Sequence, residues 1–146
     1  MNVMNLREFA PGLYAAGQPT PRDWPEIAKA GIRTVLNLRP ESEHPCFSEA
    51  ELARAAGLEY LYLPIGSADM LDDERVAAFH ALLASHAEGG MLIHCGTGNR
   101  AGALVALRAH RYLGAPVEAA LAAGRQAGLT GLEPYVRELL ERQSAG

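Results

Sequence analysis

Cys95 and Arg100 stand at the two ends of a short glycine-rich segment, Cys95-Gly96-Thr97-Gly98-Asn99-Arg100, with His94 just before it. An apolar run, Met91-Leu92-Ile93, leads in, and a helix-prone run, Ala101-Gly102-Ala103-Leu104-Val105-Ala106-Leu107, leads out. The segment therefore reads as a turn between a strand and a helix. Successive backbone N–H groups in such a turn can point inward and cradle an anion. The helix dipole and the guanidinium add positive potential at the same spot, which favours Cys95 as the attacking thiolate. The chemistry is that of a nucleophilic cysteine facing a phosphate-like or sulfur-containing group. A lone cysteine at a strand end would instead read as a small packing residue.

The elements that must hold this turn follow from the pattern along the chain. Residues 13–16 form a short strand, closed by Gly17-Gln18-Pro19. Thr20 and Pro21 are a good N-cap and N1 pair, opening a helix that Gly31 ends in the left-handed position. Residues 34–38 are β-branched and apolar and read as a buried strand. A polar, proline-containing loop over 39–45 follows. Ser48 caps a second helix that Gly57 ends, and residues 60–65 form a third strand. After a loop at 66–73, Val76, Phe79, Leu82 and Leu83 recur at helical spacing up to Gly89-Gly90. Beyond the Cys95 turn come three helical segments, broken at 114–116 and 128–131.

Strands alternating with helices predict an α/β fold with a mostly parallel sheet. Such sheets bind ligands beyond the carboxyl ends of their strands, where Cys95 falls. Trp24 and Phe79 are assigned to the core. Tyr135, Val136, Leu139 and Leu140 are expected to pack the last helix on the chain's own interior.

At 146 residues, 49% hydrophobic and 21% charged, residues 1–146 are expected to fold as one soluble domain. A net charge of −4 and scattered arginines argue against nucleic-acid binding. The first residues lack the apolar core of a signal peptide, and no run reaches membrane-spanning length. Two cysteines, Cys46 and Cys95, make no disulfide framework, so the expected compartment is the cytoplasm. His44 and Cys46 are too few to hold a metal, and neither metal nor cofactor is expected. Gly96-x-Gly98-x-x-Ala101 loosely fits a dinucleotide fingerprint. That fold needs another strand soon after the helix, and the Ala-rich, helical sequence that follows supplies none.

Four stretches together resemble the cysteine-dependent phosphatase superfamily, in its tyrosine and dual-specificity branch. They are Ala16-Gly17-Gln18-Pro19-Thr20, residues 31–40, Leu63-Pro64-Ile65, and residues 94–104. More narrowly, the chain is similar to the bacterial phosphatase-like domain found fused to β-lactamase-like hydrolases. The resemblance implies a four- or five-stranded sheet flanked by helices. It implies Cys95 as nucleophile, Arg100 as phosphate clamp, and the N–H groups of Gly96, Thr97, Gly98, Asn99 and Arg100 on the equatorial oxygens. It further implies two in-line steps through a phosphocysteine, with a phosphorylated small molecule or phosphoprotein as substrate. His94 would support the loop.

The resemblance implies a general acid in the loop before the third helix, where Asp69 has about the right offset, with Asp72 or Asp73 capping that helix. Arg39 and Gln18 match family positions, although Arg39 could equally pair with Glu41 or Glu43. Cys46 reads as an exposed loop thiol, although some cysteine phosphatases form a protective disulfide, which would here join Cys46 to Cys95. Two features depart from the usual phosphatase pattern. Four residues separate Cys95 from Arg100 where five are usual, and Ala101 replaces a hydroxyl residue, with Thr97 the remaining hydroxyl nearby. The shorter spacing resembles a rhodanese-type sulfurtransferase loop, which would carry a Cys95 persulfide. The missing hydroxyl leaves open a weakly catalytic module that binds phosphorylated ligands.

Overall fold

The computed structural model describes residues 1–43, 48–86 and 88–145. Within these, five strands form one sheet: β1 (Arg7–Ala10), β2 (Leu13–Ala16), β3 (Ile32–Asn37), β4 (Glu59–Tyr62) and β5 (Gly90–His94). Their order is β1-β2-β5-β3-β4, with β1 antiparallel to β2 and the other neighbours parallel. The helices are α1 (Asp23–Lys29), α2 (Glu49–Ala55), α3 (Asp73–Ser85), α4 (Asn99–Leu113), α5 (Val117–Gln126) and α6 (Glu133–Ala145). The expected α/β class and the mostly parallel sheet are both present.

β5 is central, so its apolar run is covered on both faces, as parallel strands require. Met91 and Ile93 join Leu36 and Ala15 in a core closed by α3, α4, α5 and α6. Leu92 joins Val35 and Ala16 on the opposite face, under Trp24 and Ile27 of α1 and Ala53 of α2. Burying a side chain such as Leu92 or Ile93 contributes about 2 kcal/mol.

The register sets the functional edge. His94 is level with Ala16 on one side and with Asn37 on the other. Gly17-Gln18, Cys95 and Leu38-Arg39 therefore leave the sheet together at its carboxyl edge. α4 and α5 approach closely because Gly102 has no side chain: a Cβ there would lie 2.7 Å from Gly124 O of α5.

Several boundaries differ from the sequence reading. α1 begins at Asp23, with Arg22 rather than Thr20 in the cap position. Pro25 is the reason. It has no N–H to give to Pro21, so the helix starts late enough to place Pro25 in its first turn. Thr20 instead donates through N and Oγ1 to Asp23, at 2.7 and 3.1 Å. β1 is an addition to the expected strands, and β4 stops at Tyr62. The 66–73 loop carries a 3-10 turn over Ala68–Met70, and α3 ends at Ser85, short of Gly89. Gly31 and Gly57 do end their helices in left-handed conformation. Ser48 takes its cap position without a side-chain bond, whereas Asp72 accepts from Arg75 N at 2.9 Å. Trp24, Phe79, Val136 and Leu140 are buried, but Tyr135 of the last helix is exposed. His44 and Cys46, with the metal and disulfide readings placed on them, lie outside the described residues. No helix of the described residues is long and apolar enough to cross a membrane.

Candidate active site

The Cys95 loop is held from outside by its carbonyls. Gly96 O accepts from Gln18 N at 3.3 Å, Thr97 O from Asn5 Nδ2 at 2.9 Å, and Gly98 O from Gly102 N at 2.9 Å. In a trans peptide the C=O and the following N–H point opposite ways. Carbonyls drawn outward therefore turn the amides of residues 97–99 inward. Gly98 N–H shows the result directly, donating to Cys95 Sγ at 3.1 Å. Gly98 has φ of +102°, a conformation that glycine adopts without strain. Cys95 is 1% exposed, so bulk water is kept off the sulfur.

Arg100 folds back over this loop; a Cβ on Gly96 would sit 3.5 Å from its Nη2. Nη1 donates to Glu43 Oε2 at 3.1 Å and to Ile65 O at 2.9 Å, and Nη2 donates to Glu43 Oε1 at 2.7 Å. A guanidinium has five N–H donors in a rigid plane. Nε–H and the second Nη2 hydrogen reach no oxygen acceptor among the described residues, and these two share one edge of the plane. Burial works against the Arg100 charge. The Glu43 bonds and the nearby Cys95 sulfur outweigh it and hold Arg100 above its ordinary range. Glu43 is correspondingly held below the usual carboxylate range, chiefly by its bonds from Arg100.

Behind the loop lies a buried polar chain. His94, fully buried, bonds through Nε2 to Glu49 Oε2 at 2.6 Å. Burial pushes the Glu49 carboxyl up, but bonds and charge from His94, with bonds from Gln18 and Tyr60, hold it below its ordinary range. An ionised carboxylate only accepts, so Nε2 carries the hydrogen. His94 Nδ1 lies 3.4 Å from Cys95 O, and the ring meets Trp24 edge-on at 6.4 Å. Gln18 continues the chain, donating to Glu49 Oε1 at 2.6 Å and accepting from Arg39 Nη1 at 2.7 Å. Arg39 Nε lies 3.6 Å from Glu43 Oε1. His94, Glu49, Gln18, Arg39, Glu43 and Arg100 thus run in one sequence of contacts around the Cys95 loop.

Not every expected residue faces this centre. Asn99 gives its backbone to the first turn of α4, but its side chain turns away, accepting from Thr130 N at 2.9 Å and Leu132 N at 3.3 Å. It fastens the α5–α6 connection to the loop. Asp69 sits exposed on the Ala68–Met70 turn and accepts from Ser67 Oγ; among the described residues it bonds no member of the loop. A cleft of about 290 Å³ opens beside Arg100, between Ile65, Leu71 and Leu132. Depressions of about 670 and 700 Å³ lie by Arg33 and by Arg7, but neither touches the loop. The sequence offers Glu43 only as a partner for Arg39, and it marks neither Glu49 nor Asn5. Their distance along the chain from the loop leaves no local signal.

Residues 5–112 match the family described as the β-lactamase hydrolase-like protein, phosphatase-like domain. A β-lactamase hydrolase-like protein of Xylella fastidiosa (strain Temecula1) is 33% identical over 111 residues, covering 73% of this chain and 25% of that protein. The match thus spans about a quarter of that relative's length. A candidate phosphatase from Neisseria meningitidis has the same fold, with a TM-score of 0.78 and 28% identity over 95% of this chain and 98% of that one. TpbA of P. aeruginosa, solved as a cysteine-to-serine variant with phosphotyrosine, aligns with a TM-score of 0.67 and 23% identity, covering 94% of this chain and 91% of that one. The four-residue Cys95–Arg100 spacing lies within the matched segment, as do Asn5, Glu43, Glu49 and the Cys95 loop. This chain belongs to the phosphatase-like domain family of the β-lactamase hydrolase-like proteins.

Proposed function

We propose that residues 1–146 act as one phosphatase-like unit that hydrolyses phosphomonoesters through a phosphocysteine on Cys95. The observation that carries this reading is the pairing of Gly98 N–H on Cys95 Sγ with an Arg100 edge that bonds no oxygen among the described residues. Donors fixed before the substrate arrives stabilise developing charge without reorganising, and this accounts for most of the acceleration in many enzymes. The amides of the 96–100 loop take the equatorial oxygens, and Arg100 takes two of them side-on.

In the first step, Cys95 Sγ attacks phosphorus. The S–P bond forms as the P–O bond to the leaving group breaks, and Asp69 passes its proton to the departing oxygen. In the second, the Asp69 carboxylate takes a proton from water, whose oxygen attacks phosphorus. The S–P bond breaks, inorganic phosphate leaves and the thiolate returns. The substrate is a phosphorylated small molecule or phosphoprotein, a choice supported by the likeness to TpbA in complex with phosphotyrosine. The compartment is the cytoplasm, where the thiol stays reduced.

The test is turnover of p-nitrophenyl phosphate by the wild type and by Cys95→Ser. The wild type is expected to release phosphate and to yield an S-phosphorylated cysteine on rapid acid quench, and the variant to do neither. Equal turnover by both sinks the cysteine mechanism. A second reading, a module that binds phosphorylated ligands without turning them over, is favoured by one feature. Ala101 places a fully buried methyl where a hydroxyl would ease departure of the thiolate. Phosphate binding by the wild type with no release from the ester would select it.

A further inference from the structure

We propose that Asn5, ninety-two residues from Thr97 in sequence, is a positioning residue for the Cys95 loop. It holds one peptide so that an amide stays on the sulfur. The inference rests on the reading of Cys95 as a nucleophile in an oxyanion cradle. Thr97 O and Gly98 N belong to the same peptide unit. Asn5 Nδ2 holds the oxygen at 2.9 Å, and the opposite end of the unit donates to Cys95 Sγ at 3.1 Å. Rotating this peptide would turn the carbonyl toward the sulfur and remove the hydrogen bond. Gly98, without a Cβ, resists such rotation less than any other residue would. The anchor must therefore come from outside the loop, and Asn5 is where it comes from.

Asn5 is itself held in place. It has φ of +55°, the one non-glycine residue among those described with positive φ. Asparagine tolerates that conformation better than most residues. The backbone around it is fastened on both sides. Met4 O accepts from Gly17 N at 2.8 Å, and Leu6 N donates to Val3 O at 3.3 Å, with Val3 buried under the sheet. The close fit continues at Gly17, where a Cβ would lie 2.6 Å from Met4 Cε and 2.9 Å from Gly96 O. The turn closed by Leu6 N and Val3 O places Asn5 at its third position, where asparagine takes positive φ, and from there its side chain reaches the loop carbonyl.

The test uses Asn5→Gly and Asn5→Ala on the full chain. The glycine variant keeps the left-handed backbone and loses only the donor. Two readouts are needed. One is hydrogen exchange of the Gly98 amide, followed by NMR, which requires no catalysis. The other is affinity for inorganic phosphate, measured by titration, alongside kcat and KM for p-nitrophenyl phosphate. Exchange at Gly98 is expected to rise at least tenfold in Asn5→Gly, with distant sheet amides unchanged. Phosphate affinity is expected to fall about tenfold, the effect of one lost hydrogen bond. kcat/KM should fall with it. Wild-type exchange at Gly98 in Asn5→Gly overturns the proposal, as does unchanged phosphate affinity in a wild type that binds phosphate. Should the wild type neither bind nor hydrolyse phosphate, the functional reading fails, and the exchange result still decides the role of Asn5. Should Asn5→Ala lose its fold to backbone strain, Asn5→Gly carries the test alone.

Discussion

Glu43 accepts from both terminal nitrogens of Arg100, and in doing so it selects which edge of the guanidinium a ligand can reach. Ile65 O takes the other Nη1 hydrogen. Among the described residues, the edge formed by Nε and Nη2 bonds no oxygen. On the proposed reading, Glu43 holds the clamp rather than competes for it. Replacing it by glutamine keeps the volume but leaves one accepting oxygen and sets an NH2 donor against the other guanidinium nitrogen. In Glu43→Gln, kcat/KM for p-nitrophenyl phosphate is expected to fall by roughly 10- to 100-fold, somewhat less than full loss of an oxyanion donor. Phosphate affinity should weaken in parallel, with the fold retained by circular dichroism. Tighter phosphate binding in the variant would show instead that the carboxylate blocks the site. Because Glu43 is held below the ordinary carboxylate range by Arg100, its grip is expected to persist to pH values under that range and to fail only below it.

Glu49 gives a stability prediction whose sign is fixed by the direction of its shift. Its carboxyl is held below the usual range in the folded chain, so the folded form binds its proton less readily than the unfolded form does. The resulting stability is fully present above the unfolded value of about 4.3 and is lost as pH falls through the lower folded value. Glu49→Gln removes a buried charge from a bonded pair and is expected to destabilise the protein by about 3 kcal/mol near pH 7. In thermal melts the gap between variant and wild type should be widest at neutral pH and narrow steadily below about pH 4. A gap that stays constant down to pH 3 would mean that the His94–Glu49 contact contributes no charge-dependent stability.

The contrast between these residues and the loop shows what one sequence can reveal. The strand-turn-helix around Cys95 is local, and so is the apolar run of β5, so both are legible from neighbours in the chain. The parallel order follows from alternation of strand and helix. β1 is not legible because Arg7-Glu8-Phe9-Ala10 is an edge strand with two exposed charged residues and two half-buried ones, so no fully buried face marks it. The late start of α1 turns on Pro25, whose missing N–H matters only once the helical hydrogen bonds are drawn. Glu43 and Glu49 lie 57 and 45 residues from the side chains they hold, and their role depends on the register that aligns His94 with Ala16 and Asn37. A long-range contact of that kind leaves no period or spacing to read. Asn99 fails in the opposite way. It stands in the loop by sequence, yet its side chain serves the α5–α6 connection.

Asp69 tests the acid half of the proposed reaction, and the leaving group is the discriminating variable. A nitrophenolate is a stable anion and departs with little help, whereas an alkoxide needs a proton as the P–O bond breaks. A general acid contributes roughly 10²- to 10⁴-fold where such help is needed. In Asp69→Asn, hydrolysis of an alkyl phosphate is therefore expected to fall by that order, while p-nitrophenyl phosphate falls only a few-fold. Ser67 sharpens the test, because its hydroxyl donates to the same carboxylate and keeps it turned toward its own turn. On the proposed reading, Ser67→Ala frees Asp69 to turn toward the substrate, and it is expected to leave alkyl phosphate hydrolysis intact or faster. Initial rates for the two esters with both variants settle the point. Equal losses for the nitrophenyl and alkyl esters in Asp69→Asn would remove it as the proton donor and pass the role to another group near Arg100.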